Sequence, residues 1–344
     1  MNSQISLSII IPHLNGKEIL DECIESILEY INNIDYEIII VNNNSQDDSI
    51  KYIKEKYPQL NIINSQINRG YAGGCNLGAK NAIGKFLFFL NNDTVIKNNC
   101  ITDLLIKLKE DDKISSVQPK IINYFNQKSF DYAGACGGYM DYLGYPFSRG
   151  RILNTLENDI GQYDTEKKIF WASGTGFITK KNIFLDMNGF DESLFAHMEE
   201  IDYHWKCLLN GYQIYVQPKS ILYHKGGQTL AYGTYKKIYL NHRNSIILFL
   251  TTNQKNSFQN IFKRFLLEIL AFIFYVITLN FKGAFAVLNA NIWLIFNIKY
   301  LILRKKKVRL LIKKYHPIPT KLIKNYFIIK KYFFNRITKF NQLD

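Results

Sequence analysis

Residues 86–94 read FLFFLNNDT. A five-residue apolar run rich in aromatics is the pattern of a strand covered on both faces, and this one stops at Asn91, Asn92 and Asp93. Two amides and a carboxylate at that point make either an Asx turn or a charge at the carboxyl end of a buried strand, where open α/β sheets bind ligands. A second stretch, NRGYAGGCNLG at 68–78, carries Gly70, Gly73, Gly74 and Gly78. It reads as a Gly-rich turn, either merely flexible or one whose backbone approaches a ligand and offers N–H groups to phosphate or ribose oxygens. It is neither GxGxxG nor a Walker loop, which argues against dinucleotide and ATP binding. A third stretch, MEEID at 198–202, gathers Glu199, Glu200 and Asp202 at the start of a helical pattern. Acids there complement the helix dipole whether or not they do chemistry.

The elements around these residues alternate. LSIIIP (7–12), EIIIVNN (37–43), LNIINS (60–65), KFLFFL (85–90) and ISSVQPKI (114–121) read as strands. Between them lie helical patterns such as GKEILDECIESILEYI, in which Leu20, Ile24, Ile27 and Ile31 share a face. That alternation predicts an α/β fold with a doubly wound, mostly parallel sheet, and it brings Asn42 to Asn44, Asn68 and Asn91 to Asp93 to one rim. From 125 to 170 the pattern loosens into loops and a hairpin over one edge. IFWASGTGFIT (169–179) is a further strand, IDYHWKCLLNG a helix stopped at Gly211, YQIYVQP and SILYH two short strands, and YKKIYLNHRNSIILFLTT a helix.

Size and composition bound the rest. The 344 residues are 47% hydrophobic, enough for one large core or two domains. Five scattered cysteines with no CxxC spacing argue against a disulfide framework or a zinc site and fit a reducing compartment. The start, MNSQISLSIIIP, lacks a basic n-region, so no signal peptide is expected. Residues 1–254 hold 25 Lys+Arg against 27 Asp+Glu, a balance of −2, whereas 255–344 hold 18 against 2, a balance of +16. The expected division is an ordinary soluble domain at 1–254 followed by a separate basic element at 255–344.

SIIIPHLN, VNNNSQDDS, NRGYAGGCNLG, FLFFLNNDT, WASGTGF, NGFDESLFAHMEEIDYHWKCLLNGY and YHKGGQT occur in this order. In that combination the chain resembles family 2 glycosyltransferases of the GT-A fold, most of all their rhamnosyltransferase-like branch, over residues 5 to about 250. The resemblance implies nucleotide-sugar binding in 1–125 and an acceptor side in 126–254. It places Asp93 in the family's DxD-type motif, binding Mg²⁺ or Mn²⁺ that bridges the donor diphosphate, with Asn91 in place of the usual first Asp and His224 approaching the metal or the diphosphate. Asn42 stands where the family carries an Asp that contacts base or ribose. Pro12, Asn15, Asn44, Asn68, Gly70, Gly73, Asn76 and Asn92 fill out the nucleotide-sugar side, and Gly174 of SGTGF lies near donor sugar and acceptor. The general base falls on Glu200, with Glu199 and Asp202 as competitors, because an acceptor hydroxyl attacks only as its proton is removed.

The implied reaction is a single inverting displacement from a dTDP-rhamnose-like or UDP-hexose donor to a glycan or lipid-linked acceptor in cell-surface polysaccharide synthesis. Two other classes stay open. A nucleotidyltransferase would want a basic Gly-rich loop after the first strand, where PHLNGKE offers only Lys17. A catalytically silent nucleotide-sugar binder is suggested by Asn42, Asn91 and Glu200 standing where Asp is usual.

In the tail, FLLEILAFIFYVITL (265–279) is apolar except for Glu268, and GAFAVLNANIWLIFNI (283–298) is apolar with three Asn. Neither reaches the ~20 residues of a spanning helix. KYLILRKKKVRLLIKK and KNYFIIKKYFFNRITKF then interleave apolar and aromatic residues with cations, which suits an anionic lipid surface. The expectation is a peripheral protein on the cytoplasmic, inner face of the cell membrane. Homodimerisation through these helices is the second reading. Nucleic acid binding comes last, since it would not explain the apolar runs.

Overall fold

The computed structural model describes residues 5–226, 233–254 and 256–343. Its first half is the expected alternation: β1 (Leu7–His13), α1 (Lys17–Tyr30), β2 (Tyr36–Asn42), α2 (Ser49–Lys56), β3 (Asn61–Asn64), α3 (Gly70–Asn81) and β4 (Phe86–Leu90). A two-residue β5 (Thr94–Val95), α4 (Cys100–Lys109) and β6 (Ile114–Asn123) follow. The apolar runs form strands because both faces are covered. Along β4, Leu87 and Phe89 enter one core while Phe88 and Leu90 enter the other, and Ile10 against Ile9 and Ile11 does the same in β1. Helices α1, α2 and α4 cover one face of the sheet, and α3 covers the other.

A small antiparallel sheet comes next, built from β7 (Gly138–Asp141), β8 (Pro146–Ser148), β9 (Arg151–Ile152) and β10 (Thr155–Leu156). The chain then returns to the main sheet with β11 (Lys167–Ile169) and β12 (Gly176–Lys180), passes through α5 (Lys181–Asp186) and α6 (Glu199–Leu209), and closes it with β13 (Gln213–His224). The main sheet runs β11-β13-β6-β12-β4-β1-β2-β3, with β5 paired to β13. Strands β1 to β4, β6 and β13 point one way; β5, β11 and β12 run against them. The carboxyl ends of the six codirectional strands therefore share a rim with the residues that enter β12.

Three expectations need correcting here. NRGYAGGCNLG is the helix α3 and not a turn. Its glycines, poor helix formers in isolation, are tolerated because Gly74 and Gly78 lie against Pro12 and Ile10, leaving no room for a β-carbon and letting the helix sit flush on the sheet. IFWASGTGFIT is split between β11 and β12 by a loop. The two short closing strands are one, β13, interrupted by an irregular register between Gln217 and Ile221.

The C-terminal region holds α7 (Tyr235–Thr251), α8 (Phe258–Ile277), α9 (Phe281–Phe296) and α10 (Ile298–Leu311), then β14 (Ile323–Lys324) and α11 (Ile328–Phe333). It is less separate than its charge suggests. β14 extends the small sheet by pairing with β7, and Leu322, Ile328, Phe340 and Leu343 join the main core beside Tyr139 and Phe147. The aromatic end of the tail thus packs into the core of the α/β region. Among the described residues no single helix is long and apolar enough to cross a membrane; α9 and α10 reach that length only together, across a 76° bend.

Candidate active site

Asp93 follows β4, and His224 ends β13; the β5–β13 pairing of Thr94 with His224 holds the two ends together. Both side chains are buried. Asp93 Oδ1 stands 3.1 Å from His224 Nε2 without hydrogen-bond alignment, and His224 Nδ1 is 2.8 Å from Asp131 Oδ1. Burial works to lower the His224 pKa, but Asp93 and then Asp131 outweigh it and push it up to about 10. For Asp93, burial raises the pKa, and His224 overturns that and holds the carboxyl below its ordinary range, with a smaller hydrogen-bond contribution from Asn91.

This pair fits a hard divalent cation. Two ligands at right angles around an ion at about 2.1 Å stand about 3.0 Å apart, close to the observed Oδ1 to Nε2 separation. Asp131 on the far nitrogen is the carboxylate that commonly orients a metal-bound histidine. Among the described residues no group of three or more His, Cys, Asp or Glu side chains is arranged to hold an ion. Two protein ligands match a metal that keeps water and takes substrate phosphates as its remaining partners.

Glu199 and Glu200 open α6. The Glu199 side chain is buried, Glu200 is partly exposed, and each has a buried Oε2 atom with no hydrogen-bond partner. Burial first, then Glu200, raises the Glu199 pKa well above its ordinary value. Burial pushes Glu200 up to about 7, against the pull of the backbone N–H groups of Glu200, Ile201 and Gly174. A carboxylate with that pKa and a free oxygen can take a proton near neutrality. Gly174 is therefore next to Glu200, and its carbonyl accepts from Tyr71 Oη at 2.5 Å.

Asp202, the third acid, does not compete for this role. It is 1% exposed. Arg304 Nη2 lies 2.7 Å from its Oδ1, Lys206 Nζ 3.3 Å from its Oδ2, and Thr252 Oγ1 donates to it at 2.6 Å. Burial would raise its pKa, but Arg304 and Lys206 hold it far below the usual carboxylate range. A groove of about 630 Å³ between α10 and the 188–193 loop includes Asp202 but neither Asp93, Glu200 nor His224.

Several residues expected on the nucleotide-sugar side make hydrogen bonds within the protein, buried at Asn92 and Asn76 and nearer the surface at Asn42 and Asn68. Asn92 Nδ2 meets His13 Nδ1 at 2.9 Å, and His13 Nε2 meets Ser49 at 2.9 Å; burial lowers the His13 pKa to about 4, so the neutral ring links β4 to α2. Asn76 donates to the Phe190 carbonyl at 2.8 Å and accepts from its N–H at 2.9 Å. Asn42 donates to Asn64 at 2.9 Å and accepts from the Ser45 N–H at 2.8 Å. Asn68 accepts from the Gly70 N–H at 2.8 Å. Gly70, at φ +68°, lies under the Phe195 carbonyl, and Gly73 faces Arg69 and Glu192, so both serve packing.

Asn15 accepts from the Gln46 N–H at 2.8 Å and thereby joins the loops after β1 and β2. Asn44, left-handed at φ 68° and exposed, follows the end of β2, and Pro12 is buried near the end of β1. Asn91 gives its backbone N–H to the Thr175 carbonyl at 3.0 Å. Trp171 and Phe190 are core residues. Residues 227–229, the end of YHKGGQT, lie outside the described residues. Sequence reasoning missed Asp131 and Arg304, which carry no local signal and meet their partners across 93 and 113 residues.

A sheet whose carboxyl rim carries an Asp–His pair suited to a cation and an acid of raised pKa with one unsatisfied oxygen has the parts for group transfer on a phosphorylated ligand. Residues 8–185 match the family model for glycosyl transferase family 2, and the chain belongs to that family. It is 24% identical over 188 residues to O-antigen biosynthesis protein RfbC of Myxococcus xanthus, covering 54% of this chain but 14% of that one. It is also 24% identical over 223 residues to the poly-beta-1,6-N-acetyl-D-glucosamine synthase of Staphylococcus epidermidis, covering 62% and 48%. The chain thus spans half or less of the length of these relatives. In fold it is similar to GalNAc-T7 solved with UDP, GalNAc and Mn²⁺ (TM-score 0.58, 15% identity, 74% of this chain and 49% of that one). It is also similar to a mannosyltransferase of Pyrobaculum calidifontis solved with GDP-Man and Mn²⁺ (TM-score 0.51, 11% identity, 90% and 84%).

Proposed function

We propose that the protein is an inverting glycosyltransferase. It moves a sugar from a nucleoside-diphosphate sugar to a hydroxyl of a glycan or lipid-linked acceptor in the synthesis of a surface polysaccharide. The observation that carries this reading is one rim holding both the Asp93–His224 pair and Glu200, whose pKa of about 7 is that of a working base. The acceptor oxygen forms a bond to the anomeric carbon as the bond from that carbon to the diphosphate breaks. The acceptor proton passes to a Glu200 oxygen, and the nucleoside diphosphate leaves with the electron pair. Attack from the side opposite the leaving group inverts the anomeric centre.

Asp93 and His224, with Asn91 beside them, would hold Mg²⁺ or Mn²⁺, which supplies positive charge to the departing diphosphate. The names of the relatives support a polysaccharide product, and the Mn²⁺ in two proteins of similar fold supports the metal. For the donor, the rhamnosyltransferase-like motif order favours a dTDP-deoxysugar, with UDP-hexoses as the second choice. The test is nucleoside-diphosphate release from a panel of nucleotide-sugars with Mn²⁺, followed by assignment of the product anomer. Turnover with retention overturns the displacement, and no release from any donor overturns the reading.

A further inference from the structure

Seventeen of the 32 exposed large apolar side chains among the described residues fall between Phe258 and Ile298. On α8 they follow helical spacing (Phe258, Phe262, Leu266, Ile269, Ile273, Ile277), one continuous stripe. The opposite side of α8 carries its buried charges. Arg264 and Glu268 are ion-paired at 3.1 Å, and Glu268 meets His242 of α7 at 2.6 Å. Glu268, the one acid between 255 and 343, therefore faces the protein, and the outer face has no negative charge. Exposed Lys263, Lys282 and Lys299 stand near the ends of α8 and α9. An apolar face this dense exceeds what a soluble surface carries without a partner.

We propose that the outer face of α8 and α9 docks on an anionic lipid leaflet and lies in its plane without crossing. The apolar stripe enters the acyl boundary, and the lysines meet headgroup phosphates. The charge favours lipid over a second copy, since two such faces would bring two sets of cations together. The aromatic end of the tail, docked on the small sheet, is not part of this surface. The test is flotation of the full chain with vesicles of phosphatidylglycerol and phosphatidylcholine, against phosphatidylcholine alone. The variant is Phe262→Glu/Ile273→Glu/Phe285→Glu, whose three positions are exposed in the fold. Binding to the mixed vesicles should fall at least tenfold in the variant and at least tenfold without the anionic lipid. Equal flotation of variant and parent overturns the proposal, as does a dimer that the variant dissolves in a chain that does not float. Binding to RNA in place of vesicles overturns it too.

A different observation carries a second inference, which rests on Glu200 being the base. Phe195, His197 and Met198, just before α6, have φ of 67°, 68° and 74°, a conformation that non-glycine residues hold only when their surroundings impose it. Asn244 of α7 imposes it here. It is fully buried, and its Nδ2 donates to the carbonyls of Leu194, Ala196 and His197 at 2.9, 3.0 and 2.8 Å. Its Oδ1 accepts from Arg243 Nε at 2.9 Å, which fixes the orientation of the amide.

The geometry points to Asn244 as a positioning residue that aims Glu200 by holding this loop. Asn244→Ala should lower kcat at least tenfold with donor KM within twofold, and should move the midpoint of the pH–kcat profile by at least half a unit. Asn244→Ser, which keeps one donor, should fall between, and it is read the same way should the alanine variant not fold. Glu200→Gln is measured alongside. If it is inactive while the Asn244 variants keep kcat and midpoint, the positioning role fails; if it is active, the base assignment fails instead.

Discussion

Glu200 and Asp202 sit on the first turn of one helix, two residues apart, in opposite electrostatic worlds. Glu200 faces the rim with an oxygen that no group satisfies, and burial raises its pKa to about 7. Asp202 faces the C-terminal helices, and Arg304, Lys206 and Thr252 hold it ionised throughout the ordinary pH range. Burial without partners makes an acid available for proton transfer, whereas burial with partners turns it into a joint. Arg304 also reaches Asp191 at 2.8 Å, so a single cation from α10 ties together both ends of the 191–202 segment that carries Glu200, the proposed base.

The comparison is tested most severely by Glu200→Gln. Proton transfer to a positioned base contributes about 10²- to 10⁴-fold, so kcat should fall by that factor while donor affinity, read by titration calorimetry, is kept. Asp202→Asn should instead leave much of kcat in the molecules that stay folded. If the two variants exchange these outcomes, the roles are reversed.

Arg304→Leu leaves Asp202 and Asp191 short of their cation in the interior, a loss of about 3–5 kcal/mol. Denaturant unfolding should show it as a lower midpoint at unchanged slope. Because Arg304 touches no expected substrate group, donor KM should hold in the folded fraction.

The two acids should also respond to pH with opposite signs. The folded pKa of Glu200, about 7, lies above its ordinary 4.5. Its stabilising contribution is present below 4.5 and is lost as pH rises through about 7, since the fold disfavours the carboxylate. Asp202, depressed from 3.8, contributes above 3.8 and loses it only in strong acid. Glu200→Gln should therefore raise Tm at pH 8 relative to the parent and leave it nearly unchanged at pH 4. Activity should fall about tenfold per unit below pH 7 as the base is protonated.

The smallest effect concerns the cation pair. With His224 protonated at neutral pH, uptake of Mn²⁺ with UDP should release about one proton. Calorimetry in two buffers of different ionisation enthalpy measures it, and His224→Ala should abolish the release.

The strands were legible because burial on both faces leaves long apolar runs, and the acid-rich start of α6 was legible from local composition. α3 was not. Glycine argues against a helix until the sheet beneath it is known to need a surface without β-carbons, as at Gly78 against Ile10 and Val41. The polar residues of the rim divide in the same way. Asn76 and Asn92 look like ligands in one dimension, yet in the fold their amides are already spent on Phe190 and His13.

Residue order alone determined the α/β alternation, the rim position of Asp93 and the basic charge of the last 90 residues, because each follows from short-range pattern and composition. Tertiary structure alone decided that Asp202 is the ion-paired member of the three clustered acids, that Asp131 stands behind His224, and which face of α8 is left bare. Those outcomes depend on groups some thirty to more than a hundred residues apart, and only the folded chain sets the burial and the partners that govern a charge.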